Sequence, residues 1–189
     1  MDINQKIDIL EELSRNLSIT NIRKAFPDCS LEELRLLFHE AKEMFREDKV
    51  QETPLKRLKI YTDGASRGNP GEAGAGVVIL NEKNESIREL SRYLGQATNN
   101  VAEYQGLLLS LEKASELGAE EVDIFSDSEL LTRQVNGIYK VKNEKLKPLY
   151  QKVLELRKNF KKFSITHIAR EKNKAADKLA NKAIDTMPK

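Results

Sequence analysis

Four acidic residues in this sequence have the types and surroundings expected of ligands for hard divalent cations. They are Asp63, Glu103, Asp127 and Asp177, in the segments YTDGAS (61–66), NNVAEY (99–104), IFSDS (124–128) and NKAAD (173–177). Four carboxylates in one place would repel one another and raise their own pKa values unless cations neutralised them. Carboxylate, water and phosphate oxygens suit Mg2+ or Mn2+, and paired ions of this kind cut phosphodiester bonds. If the four acids meet, the sequence therefore predicts a metal-dependent site for phosphate chemistry.

Two of the acids follow apolar runs that are typical of buried strands. Residues 58–62 lead into Asp63, and residues 122–126 lead into Asp127. A helix between the two strands allows them to pair in parallel, and the carboxyl ends of such strands form one crevice. Considered alone, Asp127 has a second interpretation as a helix cap, because residues 126–129 also resemble a helix start.

The other two acids lie on predicted helices. Glu103 falls in the first turns of a long helix from Asn99 to about residue 117, which Thr98 or Asn99 could cap. Asp177 lies in a terminal helix from Asn173 to about residue 184, where an isolated acid would be an ordinary solvated residue. Two strand ends and two helices are thus expected to supply the four carboxylates.

The order of predicted elements indicates an α/β domain with a mixed five-stranded sheet flanked by helices. Strands are predicted from residue 57 to a tight turn at 68–71, then over 74–81, 86–94, 121–126 and 163–169, and helices over 99–117, 128–134, 144–159 and 173–184. Three antiparallel strands followed by strands that alternate with helices make a mixed sheet. A small all-α domain is predicted over residues 1–49, with a capping box from Ser30 to Glu33, and a polar linker over residues 50–56.

Residues 57–187 resemble type 1 ribonuclease H, the nuclease that cuts the RNA strand of an RNA/DNA hybrid. The resemblance rests on YTDGAS (61–66), GNPG (68–71), GAGVV (74–78), TNN (98–100) with Glu103, SDS (126–128), and His167 ten positions before Asp177. It implies a ribonuclease H-like fold and an RNA/DNA hybrid as the partner of the predicted domain.

The resemblance also implies a mechanism for the four acids. They would hold two Mg2+ ions about 4 Å apart across the scissile phosphate, with Asp63 as the bridging ligand. One ion would lower the pKa of the attacking water, and the other would stabilise the leaving 3′ oxygen. His167 would shuttle protons or help product leave, although its position in an apolar run also suits an ordinary strand residue. Arg170 is the rival for this role, as a fixed cation that could contact the phosphate.

Five further residues fall at substrate-contact positions of the family. Gly64, Asn69, Asn100 and Glu129 match contacts in the minor groove, where the 2′-hydroxyl separates RNA from DNA. Thr98 matches the contact to a DNA phosphate. Glu129 departs from the usual glutamine, and a carboxylate accepts hydrogen bonds but cannot donate them and repels phosphate.

A strongly basic C-terminal segment accompanies the acids. Residues 139–189 carry 15 Lys and Arg against 5 Asp and Glu, a net charge of +10, whereas the whole chain carries +2. A solvated surface explains such a segment, but beside an acidic cluster it also suits the binding of a polyanion through its phosphates. The segment lacks room for the tryptophan-bearing basic protrusion of longer relatives, and the chain has no tryptophan. Lys140, Lys142, Lys145 and Lys147 are the expected substitutes.

Composition narrows the remaining possibilities. No apolar run approaches 18 residues, which argues against a membrane partner, and the single Cys29 cannot form an internal disulfide. These features, with no signal-peptide pattern, predict a cytoplasmic location. Residues 1–49 have three open roles: DNA binding, protein docking or dimerisation, and a structural appendage. The net charge of −3 over residues 1–50 argues against tight DNA binding.

Two other classes of protein fit the sequence less well than the nuclease. A proofreading-type exonuclease carries two acids on its first strand with one residue between them, whereas Asp63 is followed at that spacing by Ala65. A non-catalytic nucleic-acid-binding module of the same fold would be expected to have lost an acid, and all four are present.

Overall fold

The computed structural model of the chain describes residues 56–186 together with Pro27, Ser30, Glu33 and Leu36. The chain divides into two units, Met1–Glu52 and Thr53–Lys189. In the first, the capping box is confirmed: the backbone N–H of Ser30 donates to Glu33 Oε2 (2.8 Å), and the backbone N–H of Glu33 donates to Ser30 Oγ (3.2 Å). The rest of the predicted all-α domain and most of the linker lie outside the described residues, so their boundaries stay predictions.

The second unit contains five strands and four α-helices within residues 56–186. The strands are β1 (Arg57–Gly68), β2 (Gly71–Leu80), β3 (Ser86–Ala97), β4 (Glu121–Ser126) and β5 (Lys162–His167). The helices are α1 (Asn99–Glu116), α2 (Glu129–Val135), α3 (Lys147–Leu156) and α4 (Lys174–Asp185), with short 3-10 turns at Arg157–Asn159 and Arg170–Lys172. In this part of the chain, no helix combines the length and the apolar character needed to cross a bilayer.

The strands form one mixed sheet in the order β3-β2-β1-β4-β5. β1 pairs antiparallel with β2, and β2 with β3, whereas β4 pairs in parallel with both β1 and β5. The predicted mixed sheet and the parallel pairing of β1 with β4 are therefore confirmed. The parallel register places Tyr61 beside Phe125, so Asp63 and Asp127 emerge at the same level.

Some boundaries differ from the sequence prediction. The helix predicted over residues 144–159 is α3, which begins at Lys147 because Pro148 fits the first helical turn, where its missing N–H is not needed. β2 begins three residues earlier than predicted, since Gly68 pairs directly with Gly71 across the turn. β5 ends at His167 rather than residue 169.

An apolar core joins the sheet to α1. Its fully buried side chains include Leu58, Ile60, Ile79, Leu107, Leu111 and Ile124. Burying a side chain of this size stabilises the fold by about 1.5–3 kcal/mol. This core fixes α1 against the strands and thereby fixes the acid near its N-terminus.

Two glycines let the helices approach the sheet closely. A Cβ atom on Gly64 would lie 2.1 Å from the backbone nitrogen of Glu103, and one on Gly76 would lie 2.1 Å from the carbonyl oxygen of Ala176. Gly76 pairs with Asp63 and is thus on the face opposite to that of the neighbouring Gly64. The helices that carry Glu103 and Asp177 therefore pack on opposite faces of β1 and β2, near the strand position of Asp63.

Candidate active site

The four predicted acids all line one crevice of about 590 Å3, at the point where the parallel pairing of β1 with β4 ends. Asp63 lies within β1, which continues to Gly68, so the expected strand-end position is wrong for this acid. Asp127 directly follows β4, and Glu103 and Asp177 lie in the first turns of α1 and α4. Residues as far apart in the sequence as Asp63 and Asn181 thus line a single site. The fold brings together the set that the sequence singled out.

Asp63 is the most central of the acids. Its residue is only 5% exposed, and burial, followed by the charges of Asp127 and Asp177, raises its pKa to about 7. A hydrogen bond with Asp127 acts in the same direction, and the backbone of Gly64 acts against it. The carboxyl of Asp63 is therefore poised between its protonated and charged forms near neutral pH.

Glu103 is equally buried, at 5% exposure, and its Oε2 oxygen has no hydrogen-bond partner among the described residues. Burial, followed by the charges of Asp63 and Asp127, raises the pKa of Glu103 well above its usual value. A buried carboxylate oxygen without a partner is costly unless a proton or a cation satisfies it. Its position beside two other acids makes a cation ligand the natural use of this oxygen.

The donor set fits a hard divalent cation, because it consists of carboxylate oxygens. As the side chains stand, residues 56–186 contain no group of three His, Cys, Asp or Glu that could already hold a metal ion. Asp127 and Asp177 are each engaged by a side chain of the protein. Because a carboxylate has about four lone-pair sites, each of the two could still bind a cation.

Asn173 is a site residue that the sequence reasoning missed. It is 1% exposed, and its Nδ2 group donates to Asp127 Oδ1 (2.6 Å) and to the carbonyl oxygen of Thr62 (3.0 Å). One amide thus fixes Asp127 against β1, at the residue before Asp63. The helix-cap interpretation of Asp127 is wrong, because the side chain of Ser128 caps α2 by accepting from the backbone N–H of Leu131.

Arg170 brings a positive charge to the acidic cluster. Its Nη2 group donates to Asp177 Oδ1 at 2.9 Å, while 76% of its side chain remains exposed. Asn181 also donates to the Oδ2 oxygen of Asp177, at 3.3 Å. His167 lies at the end of β5, beside Ser126 in register, and is exposed on the wall of the crevice.

Comparisons with known proteins agree with this arrangement. A family model described as Reverse transcriptase-like matches residues 61–183. The crystal structure of ribonuclease H1 from the halophilic archaeon Halobacterium salinarum matches with a TM-score of 0.68 and 38% identity, over 69% of this chain and 99% of that one. The chain belongs to the type 1 ribonuclease H family. The fold of residues 57–187 predicted from the motifs is thereby confirmed for the described part.

Two other members of the ribonuclease H family extend the comparison. LC11-RNase H1, isolated from compost, was solved in complex with an RNA/DNA hybrid and matches with a TM-score of 0.65 and 46% identity, over 68% of this chain and 96% of that one. A bifunctional protein of Mycobacterium tuberculosis is 41% identical over 130 residues, which are 68% of this chain and 36% of that protein. The present chain thus spans about a third of the length of that relative.

The residues predicted to contact substrate lie in different parts of this ribonuclease H fold. Gly64 lines the crevice but is buried beneath α1, and Thr98 caps α1 by accepting from the backbone N–H of Val101. Asn69 is exposed in the turn between β1 and β2, and Asn100 is exposed in the first turn of α1.

Glu129 is the first residue of α2 and forms an ion pair with Arg133, one turn later in the helix (2.7 Å). Only Gly64 among the five predicted substrate contacts lines the crevice itself; the other four lie outside its wall.

Proposed function

We propose that the ribonuclease H unit is an endonuclease that hydrolyses the RNA strand of RNA/DNA hybrids. The observation that carries the proposal is the convergence of Asp63, Glu103, Asp127 and Asp177, from four separate elements, on one crevice. Family membership supports the reaction, and a related ribonuclease H1 was solved with an RNA/DNA hybrid.

The four acids would hold the metal, which we propose to be two Mg2+ ions, with Mn2+ as the alternative. Bound ions of this kind neutralise phosphate charge and make a water molecule a better nucleophile near neutral pH. The buried, unpartnered Oε2 oxygen of Glu103 supports a cation in this crevice. The raised pKa of Asp63 has the same implication, because a cation would take the place of the proton that burial favours.

The remaining residues of the crevice would position groups and move protons. Asn173 would hold Asp127 in place through its 2.6 Å hydrogen bond. His167, exposed on the wall at the end of β5, would carry protons between the reacting phosphate and solvent. Arg170 is the alternative for a direct phosphate contact, since most of its side chain is exposed to solvent.

Substrate contacts would extend beyond the crevice along both strands of the hybrid. Gly64, Asn69, Asn100 and Glu129 are proposed for the minor groove, where the ribose hydroxyls are displayed. Thr98 is proposed for a DNA phosphate. The basic segment 139–189 would add affinity that does not depend on base sequence.

Cleavage of matched RNA/DNA, RNA/RNA and DNA/DNA duplexes in Mg2+ or Mn2+ tests this function. We expect internal cuts in the RNA strand of the hybrid only, and no cuts when Asp63 is replaced by asparagine, which keeps the shape but removes a ligand charge. Hybrid binding without cleavage by the intact protein would instead support the non-catalytic module. Wild-type turnover by Asp63→Asn would contradict the assignment of the metal ligands.

A cytoplasmic location and a protein partner for residues 1–49 stay predictions of the sequence. The single cysteine, Cys29, supports the first, since it cannot form an internal disulfide.

A further inference from the structure

A surface ion pair stands beside the crevice at the start of α2. Ser128 lines the crevice and caps α2, and Glu129 follows it as the first helical residue. Arg133 Nη2 lies 2.7 Å from Glu129 Oε1, with 42% of the arginine and 58% of the glutamate side chain exposed. The pair therefore faces solvent next to Ser128, a residue of the crevice wall.

Arg133 is held from a second side by the segment that follows α2. Gly137 adopts a positive φ of 76°, which turns the chain back toward the helix. The backbone N–H groups of Ile138 and Tyr139 then both donate to the carbonyl oxygen of Arg133, at 2.8 and 3.0 Å. The Arg133 guanidinium lies over the Tyr139 ring, 5.1 Å from its centroid, within the range of a cation–π contact.

This turn is also anchored to the sheet. Asn136 Nδ2 donates to the carbonyl oxygen of Ile165 on β5 at 3.0 Å. The Tyr139 ring is thus placed by backbone hydrogen bonds and by an anchor to β5, while 46% of the residue stays exposed. An aromatic ring supported in this way restricts the arginine more than an exposed i,i+4 pair alone would.

The charge of Arg133 matters because Glu129 lies beside a crevice that would take a polyanion. An unpaired carboxylate at the edge of a crevice that takes a polyanion would repel the nearest phosphates. The Arg133 charge cancels that of Glu129. The Oε2 oxygen of Glu129 makes no hydrogen bond with any residue in the described part of the chain, so it is available to accept one. A ribose 2′-hydroxyl can donate such a bond, whereas DNA has no group there to do so.

We propose that Arg133, held by Tyr139, neutralises Glu129 so that this carboxylate can accept a hydrogen bond from the RNA strand without repelling its phosphates. Arg133 and Tyr139 are then positioning residues that act through Glu129. The inference rests on the proposed hybrid substrate, and it concerns affinity rather than the cleavage chemistry of the four acids.

A double-mutant cycle tests the proposal. The full chain and its Glu129→Gln, Arg133→Ala and Glu129→Gln/Arg133→Ala variants are compared for their affinity for an RNA/DNA hybrid in EDTA and low salt, where cleavage is prevented. Arg133→Ala should weaken binding roughly fivefold. This factor corresponds to the repulsion between two unit negative charges, here the Glu129 carboxylate and a phosphate, about 4 Å apart in water. In the Glu129→Gln background the same substitution should change affinity less than twofold, because no carboxylate remains to be neutralised. Tyr139→Ala should weaken binding in the wild-type background only, and by less than Arg133→Ala.

Arg57→Ala is the matched control. Arg57 forms a 2.6 Å ion pair with Asp123, has a similarly exposed side chain (53%), and lies six residues before Asp63 on β1, roughly 20 Å from the crevice. Its removal should leave hybrid affinity within twofold of wild type. Thermal melting of every variant separates a loss of helix stability from a loss of binding.

Three results would overturn the inference. An equal loss of affinity from Arg133→Ala in both backgrounds would show that Arg133 contacts the phosphate itself. A lower melting temperature with unchanged affinity would make the pair a helix-stabilising contact alone. A loss from Arg57→Ala as large as that from Arg133→Ala would make the effect one of overall charge. In each case the wild-type protein would still cut the hybrid, whereas failure of wild-type binding and cleavage would instead refute the proposed function.

Discussion

Replacing Asp63 by asparagine should stabilise the metal-free protein while removing its proposed activity. Asp63 is 5% exposed, and burial together with the charges of Asp127 and Asp177 raises its pKa from 3.8 to about 7. The folded state therefore disfavours the charged carboxylate, which water solvates freely when the chain is unfolded. An asparagine side chain at this position would have nearly the same shape and no charge. The free-energy cost of burying a charged carboxylate would therefore disappear.

The size of the effect follows from the pKa difference. A change from 3.8 to about 7 corresponds to about 4 kcal/mol of folding free energy at 1.36 kcal/mol per pKa unit. Because the folded state binds the proton more tightly than the unfolded state, the stability contributed by this group is present below pH 3.8 and is lost as pH rises to about 7. The advantage of the asparagine variant should thus be close to zero near pH 4 and reach up to about 4 kcal/mol at pH 8.

Urea unfolding in EDTA at several pH values measures this difference. All five tyrosines lie between residues 61 and 150 and the chain has no tryptophan, so tyrosine fluorescence reports on the ribonuclease H unit rather than on residues 1–52. With a urea dependence of about 2 kcal/mol per M, the midpoint at pH 8 should rise by about 2 M. Added Mg2+ should stabilise the wild type and reduce the stability difference between the variant and the wild type, because a cation binds the carboxylate and not the amide.

The reasoning would be refuted by a variant that is no more stable than wild type at pH 8 in EDTA. A stability advantage that did not grow between pH 4 and pH 8 would equally show that the buried charge of Asp63 is not its source.

Three further predictions concern neighbouring groups and the whole chain. Asn173→Ala should slow cleavage about 10- to 100-fold and weaken Mn2+ binding measured by calorimetry, because a buried hydrogen bond to a charged group is lost. Asn136→Ala, which removes a similar bond to a strand carbonyl outside the crevice, should leave Mn2+ binding unchanged. His167→Ala should slow turnover by roughly 10- to 1000-fold with unchanged hybrid affinity, and a larger loss from Arg170→Ala would assign the role to the arginine. Residues 51–189 alone should cleave hybrid and bind it at least as tightly as the full chain at low salt, whereas weaker binding with a shallower salt dependence would make the N-terminal region a nucleic-acid-binding module.

Local patterns in the sequence were sufficient for most elements of the described fold. Strand β4 was predicted with its observed bounds, Glu121–Ser126, because a short apolar run between turn residues leaves few alternatives. The position of Glu103 near the start of a helix followed from the same local signals. Asp63, by contrast, lies within β1 rather than at its end, because pairing with β2 continues β1 to Gly68. Boundaries were less accurate where pairing extends a strand, as in β3, which continues to Ala97 instead of ending near residue 94. That extension depends on a partner strand, since Gly71 pairs with Ala97.

The sequence by itself determined which residue types are present for the chemistry: four acids in ordered motifs, a basic C-terminal segment and a set of elements that forms a mixed sheet. Each of these depends on residues that are close in sequence, where side-chain periodicity and turn chemistry act. Only the tertiary structure decided that Asn173 donates hydrogen bonds to Asp127, 46 residues away, and to the carbonyl oxygen of Thr62, 111 residues away. It also decided that Glu103 keeps a buried oxygen without a partner in the described part of the chain and that Tyr139 supports the arginine paired with Glu129. Burial and long-range hydrogen bonds exist only once the elements have packed, and no local pattern in the chain encodes them.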